Sequence, residues 1–146
     1  NMKSNHFKPI IVSETFHQDV KTLWKYLVEI QHMHQWYFEN LPDFKAEEGF
    51  ETSFSVSSEQ RTFTHIWKVF EVIPFEKIKL SWTYKEYSGE GFVTFQLEEK
   101  NGGTKLTVIT EGLETFPQNI PEFQRESCEG GWHYFIKDRL KSYATK

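Results

Sequence analysis

The chain has 146 residues, a net charge of −4 and scattered Lys and Arg, so it fits one domain with a single core and lacks the basic face of a nucleic-acid binder. No apolar stretch approaches the ~18 residues of a membrane span, no apolar leader follows Met2, and Asn1 reads as the remnant of an expression tag. The lone Cys128 excludes an internal disulfide and suits a reducing, cytoplasmic compartment.

Aromatic content is the unusual feature. Phe, Tyr and Trp (14, 6 and 5) together match Ile, Leu and Val combined. Flat rigid rings make either a dense core or the wall of a pocket.

In chain order, Pro9 to Thr15 reads as a strand carrying Ile10 and Val12. Val20, Leu23, Trp24 and Leu27 lie at i, i+3, i+4 and i+7, one stripe of a helix, with Asp19 as its N-cap. A second short helical turn runs through Ile30 and Met33 to Trp36. Period-2 alternation then takes over. Phe50, Thr52, Phe54 and Val56 share a face, as do Phe63, His65, Trp67 and Val69. The phase slips at Val69-Phe70, which predicts a β-bulge. Pro74 ends that run. Ile78, Leu80, Trp82 and Tyr84 face one way on the next strand, followed by Val93, Phe95 and Leu97. Asn101-Gly102-Gly103 tolerates positive φ and reads as a hairpin turn before Leu106, Val108 and Thr110.

Short connections make the sheet an antiparallel meander of about seven strands. A long helix follows, roughly Glu122 to Tyr143, with Trp132, Phe135, Ile136, Arg139, Leu140 and Tyr143 on one face. At ~1.5 Å per residue it is about 33 Å long and can cross a whole sheet. Segregated strands and helices of this kind define an α+β class, read as one domain over residues 1–146. Gly130 and Gly131 inside the last helix each cost roughly 1 kcal/mol relative to Ala. They fit either tight helix–sheet packing, a kink, or close approach to another backbone or a ligand.

Several local signatures together are similar to a known superfamily. They are Leu23-Trp24 followed by Trp36; Glu71-Val72 with Pro74, then Ser81-Trp82; Gly112-Leu113; and Gly131-Trp132 with Leu140. In this order and spacing, from about Pro9 to Tyr143, the chain resembles the START-like (SRPBCC) superfamily with its helix-grip fold. Within it, the chain resembles the homologues of the heat-shock-protein-90 ATPase activator. It departs from their pattern at His17-Gln18-Asp19, at Glu29-Ile30, and at Trp67, where Gly is common. Trp67 should reduce the cavity. The resemblance implies a curved sheet wrapped around the last helix and, in many branches, a cavity for lipids, sterols or polyketides. Some branches catalyse cyclisation or hydrolysis, and the name of this one comes from a co-chaperone.

The candidate site is the space between sheet and long helix. Its walls are expected from Phe54, Phe63, Trp67, Trp82 and Phe95 on strands and from Trp132, Phe135 and Ile136 on the helix. Trp36 and the connector residue Phe116 complete them. His65, Tyr84 and Thr110 fall on inner faces and are placed to orient a ligand. Every one of these aromatics also suits plain core packing. The connector Glu114 to Pro121 reads equally as a lid or a simple link.

No catalytic residue, metal or cofactor is assigned. His32 and His34 diverge on a helix. Cys128 and His133 do not share a face, and no Gly-x-Ser-x-Gly or phosphate-cradling loop is present.

Three functions follow: a carrier or sensor of a small apolar molecule; a polyketide cyclase- or hydrolase-type enzyme using His65 as acid or base; and an interaction module that contacts a chaperone ATPase. Tyr37, Phe38 and Phe92, expected to be exposed, would support a homodimer.

Overall fold

In the computed structural model, which describes residues 8–146, alternating patterns become six strands. β1 is Ile10–Phe16, β2 Glu51–Ser57, β3 Thr62–Ile73, β4 Lys77–Tyr84, β5 Gly91–Lys100 and β6 Gly103–Glu111. They form one antiparallel sheet in the order β1-β6-β5-β4-β3-β2. The count is six and not seven, one for each alternating segment delimited in the sequence, and the expected bulge at Val69-Phe70 lies within the single strand β3. Its register to β4 shifts between Val69 and Glu71, which leaves Phe70 as the bulged residue. Phe70 is 57% exposed on the outer face.

Burial alternates residue by residue along β6, where Thr104, Leu106, Val108 and Thr110 all point inward. The β5–β6 hairpin closes through Asn101 (φ 50°) and Gly102 (φ 82°) between the paired residues Lys100 and Gly103. This is the positive-φ pair that a two-residue hairpin loop requires.

Helix α1 (Val20–Val28) starts at Asp19, whose carboxylate accepts the Thr22 N–H at 2.9 Å. That backbone hydrogen bond also holds the Asp19 carboxyl below its usual value. Helix α2 (Ile30–Trp36) is tied back to α1 by the Trp36 indole, which donates to the Tyr26 carbonyl at 2.7 Å.

The C-terminal helix begins at Arg125, three residues later than expected, because Pro121–Phe123 forms a separate 3-10 turn. It runs through α3 (Arg125–Trp132), a π-helical stretch His133–Leu140 and a last turn α4 (Lys141–Ala144). The buried residues Trp132, Ile136, Leu140 and Ala144 repeat every four positions. On an ideal α-helix each step of four overshoots a full turn by ~40°. The wider π turns counter that drift and keep the four side chains on the sheet. Lysines of this helix also cover the free edge of β1. Lys137 donates to the Ser13 carbonyl (2.7 Å) and Lys141 to that of Thr15, while both pair with Glu14. Among the described residues no helix is long and apolar enough to cross a membrane.

Candidate functional site

β3 and β4 bring His65 opposite Tyr84 and Trp67 opposite Trp82, all on the inner face. Leu80 and its partner Val93 on β5 extend that surface. From the other side, α3 and the π stretch contribute Cys128, Gly131, Trp132 and Phe135. Tyr37 and Phe38 close the end. Between these groups lies a cavity of about 150 Å³. Tyr37 sits at the C-cap of α2 with φ −111° and ψ −114°, which turns the chain out of the helix. Its ring stacks on Trp36 (4.6 Å, 1° between planes) and meets Phe135 edge-on at 4.9 Å. Both Tyr37 and Phe38 are therefore half-buried in the wall, not displayed on the surface as the sequence suggested.

Six of the expected residues line the cavity: His65, Trp67, Trp82, Tyr84, Trp132 and Phe135. The others do not. Trp36 is fully buried on the far side of Tyr37, and Phe54 stacks on His65 at 4.8 Å. Phe95 packs edge-on to Trp132, and Ile136 is fully buried one turn further along. Phe63 and Phe116 belong to a second aromatic cluster with Phe123. This cluster touches the cavity through Tyr84, at ring distances of 5.8, 5.3 and 5.0 Å. Thr110 is beside Val93 in the sheet but outside the lining, and its buried hydroxyl has no hydrogen-bond partner among the described residues.

The glycine pair has a specific consequence. A β-carbon at Gly130 or Gly131 would meet nothing within 4 Å. Tight helix–sheet packing, one of the explanations open from sequence, is therefore not why glycine stands there. Gly131 instead leaves space at the cavity wall.

The polar groups are few. His65 Nδ1 lies 3.1 Å from the Phe63 carbonyl. A carbonyl only accepts, so Nδ1 carries the proton and Nε2 is the free acceptor. Burial lowers the His65 pKa to about 4, so the ring is neutral near pH 7. Burial pushes the Tyr84 hydroxyl up to about 12 and raises Tyr37 further, with Tyr84 adding to the shift at Tyr37. The Cys128 thiol is pushed up to about 11, again chiefly by burial, which makes it a protonated, weakly nucleophilic wall group.

Other candidates from sequence separate in space. His32 Nδ1 bonds the Tyr143 hydroxyl (2.6 Å), whereas His34 Nε2 donates to the Leu41 carbonyl (2.7 Å). His133 is exposed, while Cys128 faces the cavity. The connector after β6 is pinned. Thr115 Oγ1 accepts from the Glu90 N–H (2.9 Å) and donates to the Gly112 carbonyl (2.6 Å). Arg61 pairs with Glu122 at 3.2 Å, and Phe116 is 2% exposed.

A curved antiparallel sheet holding a long C-terminal helix over an aromatic cavity is the helix-grip architecture of START-like (SRPBCC) proteins. The family is more specific. Residues 18–145 match the model of the activator of Hsp90 ATPase homolog 1-like proteins, and the chain belongs to that family. Among solved structures, it is similar to protein CV1439 from Chromobacterium violaceum at 16% identity and a TM-score of 0.78, covering 95% of this chain and 98% of that one. DynU16, a protein of the dynemicin biosynthetic locus, gives 19% identity and a TM-score of 0.76 over 95% of this chain and 48% of its own, so this chain spans about half of it. CalU16 from Micromonospora echinospora gives 17% identity and a TM-score of 0.63, over 94% and 76% of the two chains. At these identities the likeness concerns the fold. No curated protein matches.

Proposed function

We propose that this protein binds a small, largely apolar molecule between sheet and C-terminal helix, as a carrier or sensor. The observation that carries the reading is the space beside Gly131, walled by Trp67, Trp82 and Trp132 and by very few polar groups. Ligand sites have this composition, and burial of apolar ligand area supplies roughly 25 cal/mol per Å². The volume corresponds to one ring, since apolar cavities of ~150 Å³ accept benzene-sized molecules. Trp67, at a position where the family commonly has Gly, occupies part of the space. The similarity to DynU16, from a biosynthetic locus, is consistent with a ligand of secondary-metabolite type.

Native mass spectrometry of freshly purified protein, followed by extraction, tests this. A defined extra mass lost on denaturation is expected. Apo protein that also gives no heat with single-ring apolar probes would overturn the reading.

A second reading is an enzyme acting on such a ligand, and the neutral His65 with a free Nε2 favours it. Turnover of an extracted ligand that is lost in His65→Gln would support catalysis. Binding without turnover would leave carriage. A chaperone contact would use the outer surface instead, and unchanged chaperone ATP turnover on adding the protein would count against it.

A further inference from the structure

The geometry points to a ligand class for this cavity: a neutral single-ring aromatic that carries a hydroxyl donating to His65 Nε2 and a carbonyl accepting from Tyr37 and Tyr84. The assignment rests on the ligand-binding reading above and adds the chemistry that would select among apolar molecules.

The argument counts donors and acceptors. His65 is fixed on its Nδ1 side by the Phe63 carbonyl and sandwiched between Phe54, stacked at 4.8 Å, and Tyr84, edge-on at 4.8 Å. The ring can neither rotate freely nor use Nδ1 for a ligand. Its one remaining hydrogen-bonding atom is Nε2, whose lone pair calls for a donor. Tyr37 and Tyr84 have the opposite need. Neither phenol proton has an acceptor among the described residues, and the Trp82 indole beside the Tyr84 oxygen is itself only a donor. Both phenols belong to residues lining the same largely apolar space, and an O–H there is matched by an acceptor oxygen on whatever enters it.

Charge narrows the class further. No Lys or Arg lines the cavity. Arg125, whose field reaches Cys128, is engaged by the carbonyls of Lys8 and Pro9 at 2.6 and 3.1 Å. A carboxylate would enter without a counter-ion, which an apolar site strongly disfavours. The size fits one substituted ring.

Isothermal titration calorimetry with four matched probes tests the assignment: ethylbenzene, acetophenone, 3-hydroxyacetophenone and 3-hydroxybenzoate. Acetophenone should bind more tightly than ethylbenzene, and 3-hydroxyacetophenone about 10-fold more tightly again, the value of one neutral hydrogen bond. The carboxylate should bind worst. His65→Phe should bring the ratio of the 3-hydroxyacetophenone to the acetophenone affinity down to about one, whatever it does to either affinity alone. His65→Gln, which keeps an acceptor, should restore part of the ratio. Thermal melts of both variants confirm that each is folded. Equal affinity for ethylbenzene and 3-hydroxyacetophenone would overturn the class and leave the cavity standing. If none of the four binds, the ligand-binding reading itself falls.

Discussion

The indole of Trp82 lies across the backbone of Gly91, its cross-strand partner, so closely that a β-carbon at position 91 would stand 2.3 Å from the ring. The large wall residue of β4 thus depends on the absence of a side chain on β5. Trp82 in turn packs on Phe116 at 5.3 Å, which ties the cavity wall to the connector.

Gly91→Ala should therefore cost about 1–3 kcal/mol, the usual range for overpacking. The displaced indole can only move toward Phe116 or into the cavity. Urea unfolding gives the stability change, and a loss of probe affinity would show which way the ring moved. An unchanged midpoint would mean that the wall yields freely.

The two helix glycines should behave in the opposite way. Nothing stands within 4 Å of an added methyl at either position, so Gly130→Ala and Gly131→Ala should each stabilise the protein by about 1 kcal/mol through helix propensity. Only Gly131 lines the cavity. Calorimetry with acetophenone should show weaker binding for Gly131→Ala and no change for Gly130→Ala.

Much of this architecture was legible in the sequence because sheet and helix periods are local. The inner faces of β4 and β6, the Asp19 cap, the Asn101-Gly102 turn and the slip at Phe70 follow from alternation and backbone preference alone. Depth along a face is not local. Phe54 and Trp67 share one face of adjacent strands, yet only Trp67 reaches the cavity, because His65 and Phe38 pack against Phe54. Tyr37 was missed for a related reason: its direction is set by the irregular backbone at the end of α2, which no periodicity encodes. The face expected for the last helix includes Tyr143 and leaves out Ala144, because it follows an ordinary α-helical period where the structure has π turns.

His65 should make stability depend on pH in a defined window. Its folded pKa, about 4 because of burial, lies below the unfolded value near 6.5. As pH falls through 6.5 the unfolded chain takes up the proton first, so stability falls and keeps falling until pH 4. At ~1.4 kcal/mol per unit the loss amounts to at most about 3 kcal/mol. The facing groups are Tyr84, Phe54 and Phe38, with the more distant Glu86 carboxylate partly opposing the shift. The lowered carboxyls of Glu14 and Glu86 lose their contribution as pH falls below their ordinary 4.5, at the acid edge of this window and beyond it. Urea midpoints between pH 6.5 and 4.5 should fall less steeply for His65→Phe than for the parent. Equal slopes would place the His65 ring in contact with solvent.

Thr110 offers the sharpest test of whether the interior is complete without a ligand. Its hydroxyl is buried on β6 between Ile10 and Val93 and has no partner among the described residues. A desolvated, unpaired hydroxyl costs roughly 1–3 kcal/mol, and valine has nearly the same shape. Thr110→Val should therefore raise stability by about 1 kcal/mol in urea unfolding of protein stripped of bound small molecules. The same substitution in protein purified without stripping separates two states of the interior. An equal gain would mean that the hydroxyl is unpaired in both. A gain seen only after stripping would mean that a bound molecule reaches past Val93 to the Thr110 oxygen, extending the occupied space toward β6.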